Sequence, residues 1–580
     1  MRRRTAKLRL SSPIDLRLAL LALAFIVAWA AIGYRLFQVQ VVHAAEYEAA
    51  GLAQRLDVEV LAATRGRIYD RQGRELAVSI SSTSVYAKPQ QIEDPVNTAT
   101  ILGPMLNVDI GLLAARLQTD KPFVFVARQL EREEADAVVA LQIPGIYFLE
   151  EPKRVYPSGS IAAHVVGFVD IDSNGIEGLE LEYDSLLVGQ PGSVQTEKDP
   201  GGNVIPYGQY EIDPAVQGVD LISTIDLEIQ FAAETACADA LVRTQAERCI
   251  IVVLDPATFE ILALVVAPTF DPHDRSDTDP STGVLSNAAV RSVFEPGSTQ
   301  KLVTVAAALE EGVVQWNTQY LVPDQIEVVD DACESDTDDI EGCFQDFTRH
   351  PDEVMTVKDC VRLSSNVCTI KIQADLGETR LEDYLMSFGY GQTTGVDFPG
   401  EASGNVNLPH GCTTCPASAA IGYSISVTAL QMAAVYATIA NDGVWIQPRL
   451  VTDIVDGDGR RQHLDAPSHR VVSDTTARTM RIMLQAVVED GTGALASIEG
   501  YAVGGKTGTT RKFDFSVGAY TDDVVVSFIG MAPIENPELV IAVVIDSPSE
   551  AATGGAIAAP VFAEVMRKAL HQMGVSPDAR

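Results

Sequence analysis

The sequence predicts an α+β fold, one antiparallel sheet with helices on its faces, and three observations lead there. First, "CIIVVLDPATFEILALVVAP" is two apolar, β-branched runs around a turn at Pro256–Thr258, a buried antiparallel hairpin. Second, the long segment that follows is mostly helical, from "STQKLVTVAAALEEG" through "SVTALQMAAVYATIANDG" to "TTARTMRIMLQAVVEDG". Third, "YAVGGKTGTT", "DVVVSFIGMAP" and "LVIAVVIDSP" read as three further strands, closed by the helix "PVFAEVMRKALHQMG".

At 580 residues the chain exceeds a single core, and its 47% hydrophobic and 21% charged content is that of a folded protein. A formal net charge of -37 argues against nucleic-acid binding, which needs clustered Lys and Arg, and reads as a solvated acidic surface. The N-terminus is the exception. "MRRRTAKLRL" is basic, Leu18 to Tyr34 is uncharged, and apolar residues continue past Arg35 to Val42, near the ~20 residues that cross a bilayer as a helix. Arginines before the run and few basic residues after it place the N-terminus inside. A signal peptide cleaved at Val42-His43-Ala44 is the competing reading, and the length of the run favours a retained anchor. The expected organisation is a cytoplasmic basic tail at 1–17, an anchor at 18–42, a mixed, turn-rich region at 43–215 and the α+β domain at 216–575, everything past the anchor lying outside the cytoplasm. The boundary falls where "GVDLISTIDLEIQFAAETACADAL" begins a strand followed by a helix.

Eight cysteines, Cys237, Cys249, Cys333, Cys343, Cys360, Cys368, Cys412 and Cys415, suit an exported chain with disulfides, whose connectivity sequence leaves open. Cys333 and Cys343 would close a short loop inside "DDACESDTDDIEGCFQD", worth about 2–3 kcal/mol. "CTTC" has no second CxxC or paired histidines to complete a metal site, so a local disulfide is expected there and no metal. Cys368 is expected in the core, with Cys360 too far from it along a helix for the two to pair.

Three short motifs carry the chemistry. "EPGSTQK" puts Ser298 and Lys301 at a helix start, "RLSSNVCTIK" puts Ser364 and Asn366 before a second helix, and "GGKTGTT" puts Lys506, Thr507, Gly508 and Thr509 on a strand. Alone, each reads as a cap or an ordinary strand. Together, Ser-x-x-Lys, Ser-x-Asn and Lys-Thr-Gly in this order and on these elements form a specific signal. With them, the chain resembles the penicillin-recognising serine acyltransferases, and among them the class B penicillin-binding proteins of the division-specific (septal) kind. "RGRIYDRQGRELA" and "GIEGLELEYDSLLVGQPG" are similar to the family's N-terminal motifs, and "GYSISVTALQMAAVYATIANDG" and "GGAIAAPVFAEVM" to the septal transpeptidase. The resemblance implies a five-stranded antiparallel sheet flanked by helices at 216–575, the transpeptidase domain. Before it, 43–215 becomes an elongated, non-catalytic pedestal of the dimerisation type.

Chemistry gives these residue types separate reasons. Ser298 as nucleophile needs a base, and Lys301, one helical turn on, shares its face. A neutral Lys301 requires its pKa to fall by about three from ~10.4, equivalent to ~4 kcal/mol. A second ammonium ~4 Å away supplies that at an effective dielectric of ~20, so Lys506 is expected beside it, with burial adding to the effect. Gly508 is expected to let the strand approach a ligand, and Thr507 and Thr509 to hydrogen-bond a terminal carboxylate. Asn366 offers its amide to the substrate backbone. The resemblance implies that Ser364 relays a proton to the departing amine and that the N–H groups of Ser298 and Thr509 form the oxyanion hole.

The resemblance also implies D-Ala-D-Ala stem pentapeptides as substrate, covalent acylation by β-lactams and no cofactor. Its implied partners are a polytopic glycan polymerase of the division machinery, contacting 18–215, and other septal proteins. Nothing in 44–215 reads as a glycosyltransferase domain. An elongation-specific transpeptidase and a β-lactam sensor or hydrolase are the competing readings. The acidic stretch from about Asp324 to Glu353 departs from the family and is expected to be a stapled surface loop.

Overall fold

The structure is a computed structural model; it describes residues 13–578 apart from 200–203, 207–209, 277, 331, 334–341, 407, 410, 515–518 and 550–552. The basic tail at 1–12 and the centre of the acidic stretch lie outside the described residues. Two compact units emerge, residues 1–63 with 190–216 and residues 64–189 with 217–580.

The larger unit is built on a five-stranded antiparallel sheet. Its strands are β1 (Arg248–Leu254), β2 (Ile261–Ala267), β3 (Gly504–Asp514), β4 (Ala519–Ala532) and β5 (Leu539–Asp546), in the spatial order β2-β1-β5-β4-β3. The β1 and β2 runs are apolar throughout because both faces of the sheet are covered. Ile250, Val252 and Leu254 face one core, whereas Cys249, Ile251 and Val253 face the other. Over the second face lie α1 (Leu227–Thr244), capped by Asp226, and the final long helix, α6 (Gly554–Gln572), capped by Thr553. The first face carries the helical block: α2 (Lys301–Glu310), α3 (Val357–Arg362), α4 (Asn366–Leu376) and α5 (Ala429–Ala440). Every residue of α5 is buried, as a helix apolar on nearly all sides demands, and a Thr428/Gln431 capping box starts it.

The same unit contains a seven-stranded mixed sheet. Strands 68–69, 75–87, 124–130 and 146–155 join Asp220–Ser223, Val451–Val455 and Arg461–His463, so the sheet draws from both sides of residue 216. Asp220–Ser223 pairs parallel with Ile68–Tyr69 and antiparallel with Val451–Val455. The strand expected to open the catalytic domain therefore completes a different sheet. Where the two N-terminal motifs meet, Arg65 and Arg154 converge on Glu180 at 2.6 and 2.7 Å, all three buried, and Arg65 also reaches Asp184 at 2.7 Å.

In the smaller unit, Leu16–Val42 is helical, exposed, and long and apolar enough to cross a membrane. It leads into a helix at Ala44–Arg55, and Leu56–Leu61, Gly192–Glu197 and Tyr210–Asp213 form a three-stranded antiparallel sheet.

All eight cysteines are paired: Cys237–Cys249, Cys333–Cys343, Cys360–Cys368 and Cys412–Cys415. The first ties α1 to β1. The expected Cys333–Cys343 and Cys412–Cys415 bridges are present. The Cys360–Cys368 bridge corrects the expectation that these two cannot pair. They lie on separate helices, because Ser364 takes φ +63 between α3 and α4 and turns the chain back until the two Cα atoms are 5.7 Å apart.

Candidate active site

Ser298 lies in a 3-10 turn, Gly297–Gln300, that runs into α2 at Lys301. The side chain caps nothing and is half-buried. Glycines set this turn. Gly297 has φ +55, and a Cβ there would fall 2.3 Å from Thr510 Cγ2 on β3. Gly422, at φ +90, donates no side chain either, since its Cβ would meet the Gly297 carbonyl oxygen at 2.1 Å. The nucleophile's backbone is thus clamped between a strand and a glycine loop, with Gly297 N–H donating to the Gly422 carbonyl at 3.0 Å. Tyr436 on α5 donates to the Thr299 carbonyl at 3.0 Å.

All three motifs converge here. Lys301, fully buried, donates from Nζ to the Ser364 carbonyl (2.5 Å) and to Asn366 Oδ1 (2.6 Å), and lies 3.3 Å from Ser364 Oγ. Lys506, 1% exposed, donates to Ser364 Oγ (2.8 Å) and to the Thr507 carbonyl (3.2 Å). The Ser364 hydroxyl therefore sits between two amines, held there by a left-handed backbone that a serine adopts only under constraint. Burial brings the Lys301 pKa down to about 7, against an opposing pull from Asp346. This corrects the expected cause: desolvation, rather than the neighbouring ammonium, leads. The charge of Lys301 acts instead on Lys506, which burial and that charge together hold well below the usual lysine range. A neutral Lys301 can donate two hydrogens to the two carbonyl oxygens and keep its lone pair for a proton.

Ser365, not Ser364 or Asn366, caps α4, accepting from the Cys368 N–H at 2.9 Å. On β3, the edge strand of the sheet, Thr507 Oγ1 pairs with Thr492 Oγ1 at 2.9 Å, and Thr509 Oγ1 accepts from the Gly554 N–H at 3.0 Å. Accepting that bond leaves the Thr509 hydroxyl hydrogen free to donate. Gly508 is also crowded from within the protein. A Cβ there would meet Ser527 Oγ at 2.4 Å and both the Pro296 oxygen and Thr299 Cγ2 at 3.1 Å, so the glycine admits the nucleophile turn against the strand.

Sequence reasoning missed Asp346, and it took the surrounding stretch for a surface loop. Asp346 is 7% exposed and its carboxylate accepts from Ser365 Oγ (2.7 Å) and from the N–H groups of Asn366 (2.5 Å) and Val367 (3.0 Å). The Gln345 carbonyl accepts from Asn366 Nδ2 at 2.8 Å. Gln345 and Asp346 lie against the Ser-x-Asn motif because a helix N-terminus needs acceptors for its free N–H groups. A lone acidic residue in an acidic run gives no sequence signal of this. Among the described residues no group of three or more His, Cys, Asp or Glu is gathered as a metal site requires.

Comparison with known proteins agrees with this geometry. Residues 249–567 match a family described as "Penicillin binding protein transpeptidase domain", and residues 60–223 one described as "Penicillin-binding Protein dimerisation domain". The chain is 34% identical to "Penicillin-binding protein PbpB" of Mycobacterium tuberculosis, over 94% of this chain and 83% of that one. It is 32% identical to "Peptidoglycan D,D-transpeptidase FtsI" of Escherichia coli K12, over 98% and 93%. Among solved structures, penicillin-binding protein 3 of M. tuberculosis complexed with aztreonam is similar at a TM-score of 0.69 and 30% identity, covering 90% of this chain and 98% of that chain.

Proposed function

The chain belongs to the class B penicillin-binding proteins, close to the septal transpeptidases, and on that premise we propose that it cross-links peptidoglycan as a serine D,D-transpeptidase through Ser298. The observation that carries the assignment is the placement of Ser364 Oγ between two buried, pKa-lowered amines beside the Ser298 turn. Ser298 Oγ attacks the carbonyl of the penultimate D-Ala while its proton passes to the Lys301 lone pair. The N–H groups of Ser298 and Thr509 receive the oxyanion. The C–N bond then breaks, the terminal D-Ala leaves as an amine with a proton relayed by Ser364, and an acyl-enzyme remains. The amine of a neighbouring stem peptide attacks that ester, loses its proton along the same route and regenerates the Ser298 hydroxyl. Asn366 and the free edge of β3 align the donor backbone, and the Thr507 and Thr509 hydroxyls hold its carboxylate. β-Lactams acylate Ser298 as mimics of D-Ala-D-Ala.

The one helix among the described residues that is long and apolar enough to cross a membrane, together with the likeness to FtsI, supports a single-pass membrane protein. We infer that its N-terminus is cytoplasmic and the remainder extracytoplasmic, supported by the basic residues before the span and by the four disulfides, which fit an oxidising compartment. Residues 18–215 are the proposed contact with a polytopic glycan polymerase and other division proteins. We propose 43–215 and 216–575 as a functional division, supported by the family matches over 60–223 and 249–567. Labelling with a fluorescent penicillin tests the nucleophile: wild-type protein is expected to take a covalent label on the Ser298 peptide and Ser298→Ala none. Label retained by Ser298→Ala would overturn the assignment.

A further inference from the structure

The Ser-x-Asn motif is gripped from beneath by a segment outside the three motifs. Gln325–Glu327 pairs antiparallel with Cys343–Gln345, and Cys333–Cys343 ties the intervening chain to the second strand. Ile326 and Phe344 of this hairpin pack on Ile370 of α4, together with Ala417 and Ile421. The hairpin thus binds the same helix whose first turn it caps.

Beyond the hairpin, the contacts fall on the two ends of one side chain. Asp346 and Ser365 between them accept from the N–H groups of residues 366, 367 and 368, leaving the first turn of α4 with little freedom. The Asn366 amide has one donor end and one acceptor end. The Gln345 carbonyl takes the donor end at 2.8 Å, which forces the acceptor end toward Lys301 Nζ at 2.6 Å. A flipped amide would set oxygen against oxygen and NH2 against amine.

Building on the reading of Ser298 given above, we propose that Asp346 and the Gln345 carbonyl are positioning groups for the reaction, holding the Asn366 side chain so that its oxygen faces the Lys301 amine. The acidic, cysteine-stapled stretch is then part of the catalytic apparatus. Asp346 touches no reacting atom; it acts through Asn366 and Lys301. The charged groups around it are His350, whose Nε2 lies 3.0 Å from its carboxylate and whose Nδ1 lies 3.3 Å from Glu353. Lys301 in turn faces Lys506, across Ser364, and the negative field of Asp346.

Asparagine at 346 can keep both backbone bonds through its oxygen while removing the charge. Alanine removes both. The test is the rate of Ser298 labelling by fluorescent penicillin across pH, on full-length protein in detergent. Asp346→Ala is expected to label at least about tenfold slower at pH 8, as displacement of an aligned group does. Asp346→Asn is expected to stay within about threefold at pH 8, with its acid limb displaced toward lower pH by about half a unit or more, because a carboxylate that favoured protonated Lys301 is gone. A merely structural residue would lower the melting temperature and leave the acid limb in place. Wild-type rates in Asp346→Ala, or coincident acid limbs in Asp346→Asn and wild type, overturn the proposal. Wild-type protein that takes no label at all would overturn the function proposed for Ser298 instead.

Discussion

Two buried polar clusters in the larger unit treat charge in opposite ways. In the pedestal, Arg65 and Arg154 face Glu180 and Asp184, two cations against two anions. Beside Ser298, Lys301 and Lys506 share a hydroxyl, and among the described residues Asp346 is the one carboxylate acting on Lys301. The first cluster balances its charges by pairing, the second by letting go of protons. Pairing yields a joint; incomplete pairing yields a base. Geometry alone does not separate them, since both bury their cations and both hold hydrogen bonds under 3 Å.

The contrast can be broken most severely at Lys301. Lys301→Met keeps length and apolar volume but has no lone pair to take a proton, and acylation by penicillin is expected to slow by about 10²–10⁴-fold, measured as the second-order labelling rate. A variant labelling at the wild-type rate would move the base elsewhere. The reciprocal test is Glu180→Gln, which leaves Arg154 without its carboxylate and Arg65 with Asp184 alone, and is expected to cost about 3–5 kcal/mol of stability in urea titrations. Labelling of the protein that remains folded should be unaffected. If Glu180→Gln left stability unchanged, the pedestal cluster would not depend on charge balance.

A gentler probe is pH. The unfolded chain keeps the Lys301 proton up to about 10.5, whereas the fold sheds it above about 7. Between those values the unfolded state binds more protons, so stability rises with pH and is lost as pH falls toward 7. Lys506, also held well below the usual lysine range, adds in the same direction. The slope is at most about 1.4 kcal/mol per pH unit for each group, and Lys301→Met should flatten the part between 7 and 10. Labelling should fall about tenfold per pH unit below 7 as Lys301 takes up its proton.

Much of this was legible in the sequence. The apolar β1–β2 hairpin, the three late strands and the spacing of the three motifs are local patterns, and local patterns survive in one dimension. What escaped detection was non-local or conformational. Asp220–Ser223 pairs with a strand some 150 residues earlier in the chain, and four residues carry no sign of that partner. Cys360 and Cys368 were separated by assuming a continuous helix, where Ser364 at φ +63 breaks it. Asp346 looked like one more solvated acid, because composition reports charge and not burial. The crowding of Ser527, Pro296 and Thr299 around Gly508 is likewise visible only in three dimensions.

The four disulfides join cysteines that are consecutive in the chain, 12, 10, 8 and 3 residues apart. Of the 105 ways to pair eight cysteines, this is the one that a chain emerging end-first into an oxidising compartment completes without waiting. Each thiol meets its partner as soon as that partner is delivered, and no bridge has to be undone for the next to close. The covalent framework around Ser364 can therefore be in place before the last strand of the sheet has been made, so the site is assembled in the order in which the chain emerges.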